Sequence, residues 1–335
     1  MAYSVGGDEH LVGADQGVGS AAMEPLVRRF EPAIAIDLQL TLAPLRRGFG
    51  DPTLRFSADR SVWRATLTPD GPATLRLIPD GAAIRAQAWG PGAAWAIEQA
   101  PELAGALDDA AGFVAAVAGH RLLRDLHARF PGIRIGRTRR VLEALVPAII
   151  EQKVTGDEAR AAFVALVRRH GEPAPGPWDE PSARRPAPLR VPPGPETLAG
   201  LPGYAYHPLG LERRRADAIR FAADHATRVE ECPDLPLPDA YARLRVLPIV
   251  GAWTAAEVGL RAFGDADAVS VGDFHLCHAV CWALAGESRG TDERMLELLA
   301  PFAGHRARVI RLIEAAGIHV PRRGPRMAVR SITGI

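Results

Sequence analysis

Lysine is almost missing from this chain: Lys153 is the only one in 335 residues, and the remaining positive charge is arginine. Chemistry that runs through a Schiff base on a side-chain amine therefore has almost no candidate nucleophile. Cysteine is sparse too, and three residues make no disulfide framework. Cys277 and Cys281 stand four apart beside His275 and His278, but four neighbours on one helix cannot surround a tetrahedral ion. They read as small buried thiols on a helix. No cysteine follows Cys281, which excludes a C-terminal iron–sulfur cluster of the four-cysteine kind. No run approaches the roughly 18 apolar residues that a membrane helix needs. The first residues are rich in glycine and carry Asp8, Glu9 and Asp15, which is neither a basic nor an apolar signal segment. Residues 1–30 are expected to be a disordered leader, and the protein cytoplasmic. A net charge of +1 gives no overall field that would draw a polyanion.

What charge there is comes in patches. Arg121, Arg124, Arg129, Arg134, Arg137, Arg139 and Arg140 are opposed within their stretch by Asp125 alone. Arg213, Arg214 and Arg215 form a second patch, and a basic tail at 321–335 carries Arg322, Arg323, Arg326 and Arg330. Any one of these reads equally well as a solvated face, and a chain heavy in Arg, Ala, Gly and Pro owes part of its bias to a GC-rich genome.

The periodicity changes once along the chain. Ile34, Ile36, Leu38, Leu40 and Leu42 alternate with Ala35, Asp37, Gln39 and Thr41, which predicts a strand with one buried face. Further short strands are expected at 62–67, 74–78 and 83–89, joined by Pro69-Asp70-Gly71-Pro72 and Pro79-Asp80-Gly81 turns. With a helix over 92–105, they make 31–110 a small antiparallel sheet module. From 112 the period is helical, with helices expected at 113–130, 137–155 and 157–170. After a Pro-rich loop at 172–195, helices resume at 212–226, 238–246, 252–263, 274–285, 291–299 and 305–316. The fold class is α+β: the sheet module, then an all-helical domain over 111–320. No fixed-period repeat is found.

The informative segment lies in the second half. Leu247-Pro248-Ile249-Val250-Gly251 interrupts two short helices, the second beginning Ala252-Trp253-Thr254-Ala255. Backbone N–H groups at such a helix start, with the helix dipole, suit a phosphate, although many helical hairpins are mere packing units. About twenty residues on, Val269-Ser270-Val271-Gly272 leads into Asp273-Phe274-His275. Taken alone, Asp273 is a helix N-cap. Taken together, the hairpin and the aspartate resemble the helix-hairpin-helix DNA glycosylase superfamily, and Ala148-Ile149-Ile150-Glu151-Gln152-Lys153-Val154-Thr155 resembles that family's helix end facing the lesion. The order of sheet, basic helices and C-terminal helices is similar to AlkA-type 3-methyladenine DNA glycosylases, over roughly residues 33–317.

The resemblance implies that Asp273 is the catalytic carboxylate and that Trp253 is an electron-rich wall of the base pocket, with Tyr204, Tyr206 and His207 as a second aromatic cluster that lines the pocket or packs in the core. Phe274 and Trp282 are assigned to the core. It implies DNA contacts from Val250, Gly251, Ala252, Thr254, Gln152, Lys153, Arg137, Arg139 and Arg140, double-stranded DNA with a damaged base as the partner, no cofactor, a monomer, and a nucleoid location. Three departures stand out. The family's first hairpin glycine is Ile249, a β-branched residue where positive φ would be an outlier, so either the turn differs or its phosphate and ion anchor near Ile249 and Gly251 is weakened. Trp253 occupies the place of the lysine that strand-cutting members use, which implies a monofunctional enzyme. Lys153 falls where the family puts the residue that wedges into the emptied stack, and it could instead reach a phosphate or stand as a surface lysine. The alternatives are a glycosylase for oxidised or deaminated bases, and a non-catalytic DNA-binding protein of the same fold.

Overall fold

The structure, a computed structural model, describes residues 24–178 and 188–321. Strand β1 (Leu26–Phe30) is followed by helix α1 (Leu38–Leu42), then β2 (Leu54–Phe56), β3 (Val62–Thr68), β4 (Gly71–Asp80), β5 (Ala83–Trp89) and α2 (Ala93–Leu103). The strands form one antiparallel sheet in the order β1-β5-β4-β3-β2. On one face, Ala96, Ile97, Ala100 and Leu103 of α2 pack with Leu38 and Leu42 of α1 over Leu75, Leu77 and Ala86.

Two expectations are corrected here. The leader does not run to residue 30: Leu26 pairs with Ala88 and Phe30 with Ile84, so β1 closes one edge of the sheet, with Arg28 and Arg29 tied to Glu98 and Asp80. Residues 1–23 and the basic tail from 322 lie outside the described residues. The alternating stretch at 34–42 is a helix start and not a strand. The Asp37 carboxylate accepts from the Leu40 amide at 3.0 Å, and Leu38, Thr41 and Leu42 are the buried positions. Over nine residues the two periodicities share Leu38 and Leu42, and the cap decides between them.

The helices continue as α3 (Phe113–Val117), α4 (Arg121–Arg129), α5 (Val141–Ile150) and α6 (Gly156–His170). The helix expected over 113–130 is broken at Gly119-His120, where the His120 ring accepts from the Leu123 amide and starts α4. The Pro-rich stretch is partly regular: β6 (Glu172–Pro173) pairs with β7 (Arg190–Val191), and α7 (Pro195–Gly200) opens on its proline. Then come α8 (Gly203–Tyr206), α9 (Arg213–Asp224), α10 (Ala226–Glu230), α11 (Leu237–Arg245), α12 (Ala252–Val258), α13 (Leu276–Ala285), α14 (Asp292–Leu299) and α15 (Arg306–Ala315). The last turn of the helix expected to 263 is π-helical over Gly259–Phe263. Gly259 is required there, because a Cβ would come within 2.0 Å of the Tyr241 hydroxyl oxygen.

Apolar side chains divide the helices into two packed groups. Helices α5, α6, α9 and α12 share one core through Leu145, Ile149, Leu166, Ile219 and Val258. Helices α3 and α4 return to pack with α13, α14 and α15 through Phe113, Leu123, Val280, Leu299 and Val309. The segment between Phe263 and Leu276 passes from the first group to the second, and Asp273 sits on that crossing. Among the described residues, no helix is long and apolar enough to span a membrane.

Candidate functional site

Helix α5 ends where its terminal carbonyls need partners. Arg215, buried at the start of α9, donates to the Ile150 carbonyl at 2.7 Å. The chain then turns through Glu151, Gln152 and Lys153, the last at φ +58°, before Thr155 and Glu158 form a reciprocal capping box for α6. Gln152 reaches across to the hairpin, its Nε2 donating to the Ile249 carbonyl at 3.1 Å and to Thr254 Oγ1 at 2.8 Å.

In the hairpin, Leu247 and Val250 are buried, and Gly251 and Ala252 are exposed. Ile249 holds φ +58°, so the turn keeps the left-handed conformation with a β-branched residue in it. Such a residue costs about 1–3 kcal/mol, offset here by the clamp from Gln152 and by packing of the Ile249 side chain on the first helical core. Ile249→Gly is accordingly expected to be more stable than Ile249→Ala by about 1 kcal/mol, because both lose the same packing and only alanine keeps the strain. Urea unfolding of the two variants checks this, and the usual order, alanine above glycine, would contradict the turn geometry. Thr254 and Val250 are buried, so neither side chain can meet a phosphate, and what they offer is backbone. The Ile249 carbonyl, one oxygen the turn could give a cation, already accepts from Gln152.

Asp273 lies two residues ahead of His275, the N-cap of α13. Its Oδ1 accepts from the His275 and Leu276 amides at 2.8 and 2.9 Å, capping α13, while Oδ2 accepts from the Trp253 indole N–H at 3.2 Å. The carboxylate and the indole, twenty residues apart, thus meet at the mouth of the hairpin. Phe274, assigned to the core, is instead 78% exposed beside Asp273, with its ring against His275 and His278. Trp282 is half-buried.

Behind these groups lies a polar network that the sequence reading missed. Glu257 accepts from Ser270 Oγ at 2.5 Å and from Arg261 at 2.7 Å, and Arg261 also donates to the Pro44 carbonyl at 2.9 Å. Arg47 pairs with Glu151 at 2.5 Å. The Ser270 backbone carbonyl in turn accepts from the Asp273 amide at 3.2 Å. Burial alone would raise the Glu257 carboxyl, but the Arg261 charge, the Ser270 hydroxyl and the Arg47 charge outweigh it and hold it below the usual range. Burial pushes the Arg47 guanidinium down, and Glu151 partly offsets this. The network joins the sheet module, the end of α5, helix α12 and the Asp273 crossing.

Other expected site residues fall elsewhere. Tyr206 is fully buried, its hydroxyl donating to the Leu198 carbonyl at 2.7 Å and pushed by burial up to about 12. It is a core residue and does not line an open pocket. Tyr204 is exposed on the outside of the same turn, and His207 packs with that turn against α6. The structure does not bring this trio to Asp273 and Trp253.

The arginines at the other end of α5 are also corrected. Arg137 pairs with Glu102 at 2.7 Å, Arg139 with Asp234, and Arg140 with Glu230 at 3.2 Å, while Glu230 accepts both the Val141 and Leu142 amides at 3.0 Å. Their charge is spent on fixing the start of α5. A ten-residue helix puts that start roughly 15 Å from Gln152. The second arginine patch is the better placed one: Arg215 anchors α9 on Ile150, and Arg213 and Arg214 remain exposed at that end. Lys153 is exposed there too. An apolar cavity of about 50 Å³ between β3, α5, α6 and Pro192–Pro195 shares no residue with the Asp273 site.

The fold is similar to that of solved DNA glycosylases. Among solved structures, it is similar to a 3-methyladenine DNA glycosylase from Archaeoglobus fulgidus, with a TM-score of 0.72 at 20% identity over 85% of this chain and 97% of that one. A Clostridium acetobutylicum 8-oxoguanine glycosylase/lyase, solved with double-stranded DNA, gives a TM-score of 0.63 at 11% identity over 88% and 99%. Among curated proteins, 155 residues are 30% identical to a probable bifunctional transcriptional activator/DNA repair enzyme AlkA of Mycobacterium tuberculosis, in each of two strains. That match covers 46% of this chain and 29% of the relative, so it spans under a third of the relative's length. No family model matches the chain.

Proposed function

We propose that this protein is a monofunctional DNA glycosylase that flips an alkylated base of the 3-methyladenine type out of duplex DNA and hydrolyses its N-glycosidic bond. The observation that carries the reading is the Asp273 carboxylate, with one oxygen spent on capping α13 and the other held at the Trp253 indole. The shared fold with the Archaeoglobus enzyme and the partial identity to AlkA support it.

A base inside the duplex is unreachable, so the nucleotide must be extruded, at a cost of a few kcal/mol that is lowest for a damaged pair. Exposed Gly251 and Ala252 at the start of α12 offer backbone N–H groups to the strand. Lys153, Arg213 and Arg214, all exposed near the end of α5, take phosphates or the gap, although Arg213 also pairs with Asp217 at 3.5 Å. Departure of the base leaves positive charge on the sugar, which the Asp273 carboxylate stabilises, and the same group accepts the proton of the water that adds at C1′. An alkylated purine is cationic before it leaves, so no strong general acid is needed. The indole face of Trp253 suits such a base, with a cation–π contribution of about 0.5–2 kcal/mol. With Trp253 in place of an amine, the strand stays uncut. The same reading makes the protein a monomer acting at the nucleoid, in the cytoplasm and without a cofactor.

Incubation with methylated duplex DNA is expected to release 3-methyladenine or 7-methylguanine, with no strand breaks before alkali is added. Strand cleavage without alkali would contradict the monofunctional reading. Release confined to oxidised or deaminated duplexes would keep the mechanism and move the substrate. DNA binding with no release from any duplex would leave a non-catalytic binder.

A further inference from the structure

The loop between α1 and β2 is rigid at its base and bare at its tip. Asp51, buried, accepts from the Arg47 amide at 2.6 Å and from both the amide and hydroxyl of Thr53 at 2.8 Å. The Pro52 carbonyl accepts from the Arg190 amide at 2.8 Å, and the Arg47 side chain is locked on Glu151. On this fixed frame Phe49 is 98% exposed, between Gly48 and Gly50. Gly48 holds φ +82° and lies so close to Arg160 of α6 that a Cβ would come within 2.6 Å of its Cδ.

Phe49 is not a stray apolar residue, because a guanidinium lies over its ring. The Arg46 guanidinium carbon lies 4.7 Å from the Phe49 centroid and 5.0 Å from the Phe56 centroid. Arg46 Nε is buried with no hydrogen-bond partner among the described residues. The stack Phe56–Arg46–Phe49 therefore sets a guanidinium beside the ring, while nearly all of Phe49 stays open to solvent. The loop also has a definite position. Arg47 touches Glu151, and Arg160 lies against both Gly48 and Gly156. Phe49 thus stands beside the 151–156 turn, the turn that carries exposed Lys153 and from which Gln152 holds the hairpin.

We propose that Phe49, backed by Arg46, is a stacking platform for an unstacked nucleobase of the DNA beside the extruded nucleotide. The inference rests on the glycosylase reading for where the duplex opens. An aromatic face accepts any base, so the platform is indifferent to sequence, and a guanidinium behind the ring adds to its hold on DNA. It supplies what the arginine and lysine side chains cannot, a preference for opened over intact duplex.

The test compares full-length wild type, Phe49→Ala and Phe49→Trp by fluorescence anisotropy, on an intact duplex and on the same duplex with a tetrahydrofuran abasic analogue flanked by 2-aminopurine. Phe49→Ala is expected to bind the abasic duplex roughly tenfold more weakly, with unchanged binding to intact duplex and an unchanged slope of affinity against salt, since no charge is lost. Phe49→Trp should restore the preference, with its indole emission altered by the abasic duplex. Equal loss on both duplexes, or no loss on either, would overturn the platform. So would loss of self-association in Phe49→Ala with DNA affinity intact. If the wild type releases no base from any duplex while the Phe49 preference persists, the glycosylase reading fails and the platform stands. If base release depends on Asp273 and Phe49→Ala changes nothing, the platform alone fails.

Discussion

Asp273→Asn is expected to slow base release on the order of 10²–10³-fold, the range for removing one preorganised electrostatic contact to a transition state, and to leave DNA affinity close to that of the wild type. The two oxygens explain why the fold should survive. Oδ1 caps α13 through the His275 and Leu276 amides, and asparagine caps a helix as well as aspartate does. Oδ2 faces the Trp253 indole N–H, so an amide nitrogen there gives up that one hydrogen bond but opens no cavity. What asparagine cannot do is carry the negative charge that the sugar requires as the base departs. Single-turnover release from methylated duplex, beside binding by anisotropy, separates the two quantities. Release within a few-fold of wild type would remove Asp273 from the chemistry and return it to the role of a cap.

Glu257→Gln should act on stability first and on catalysis second. Glu257 and Arg261 are largely buried, and removing the carboxylate leaves the guanidinium, with Arg47 nearby, short of a counter-charge. Breaking a buried pair from one side costs about 3–5 kcal/mol, and the amide, which keeps the hydrogen bonds, should fall at the lower end. Because Ser270 rests on Glu257 and the Asp273 amide rests on Ser270, the variant should also lose base-release rate more than DNA affinity. The sign with pH follows from the depressed carboxyl. Its contribution is fully present above the ordinary glutamate value of 4.5 and is lost as pH falls through the lower folded value. The wild type should therefore lose stability below about pH 4.5 more steeply than the variant. An unchanged urea midpoint at neutral pH would show that the network carries no such energy.

How much of this was legible beforehand depended on how local the signal was. The hairpin and Asp273 could be read because a helix break, a glycine and an apolar run into an aspartate are short-range patterns that together resemble a known family, and the structure sets Trp253 beside Asp273. The sheet strands from Val62 to Trp89 followed from alternation and turn residues. The stretch at 34–42 was misread because two periodicities coincide over so few residues, and only the Asp37 cap distinguishes them. Arg137, Arg139 and Arg140 read as free charge because Glu102, Glu230 and Asp234, which neutralise them, lie 35 to 95 residues away. Phe49 and Phe274 were invisible for the opposite reason: sequence assigns a phenylalanine to the interior by default, and nothing in a string of letters reports exposure.

The contact between Arg47 and Glu151, with Arg261 reaching Pro44, also bears on how such proteins can be recombined. The sheet and the helices look like interchangeable modules, since each has its own apolar core. Their seam is ionic, and it lies directly under the turn bearing Gln152 and Lys153. A chimera that joined these helices to a foreign sheet would inherit Glu151 without Arg47 and Arg261 without the Pro44 carbonyl, and its two halves could fold while the hairpin clamp drifted. Residues 44–47 therefore belong structurally with the helical half, whichever side of the apparent boundary they are drawn on.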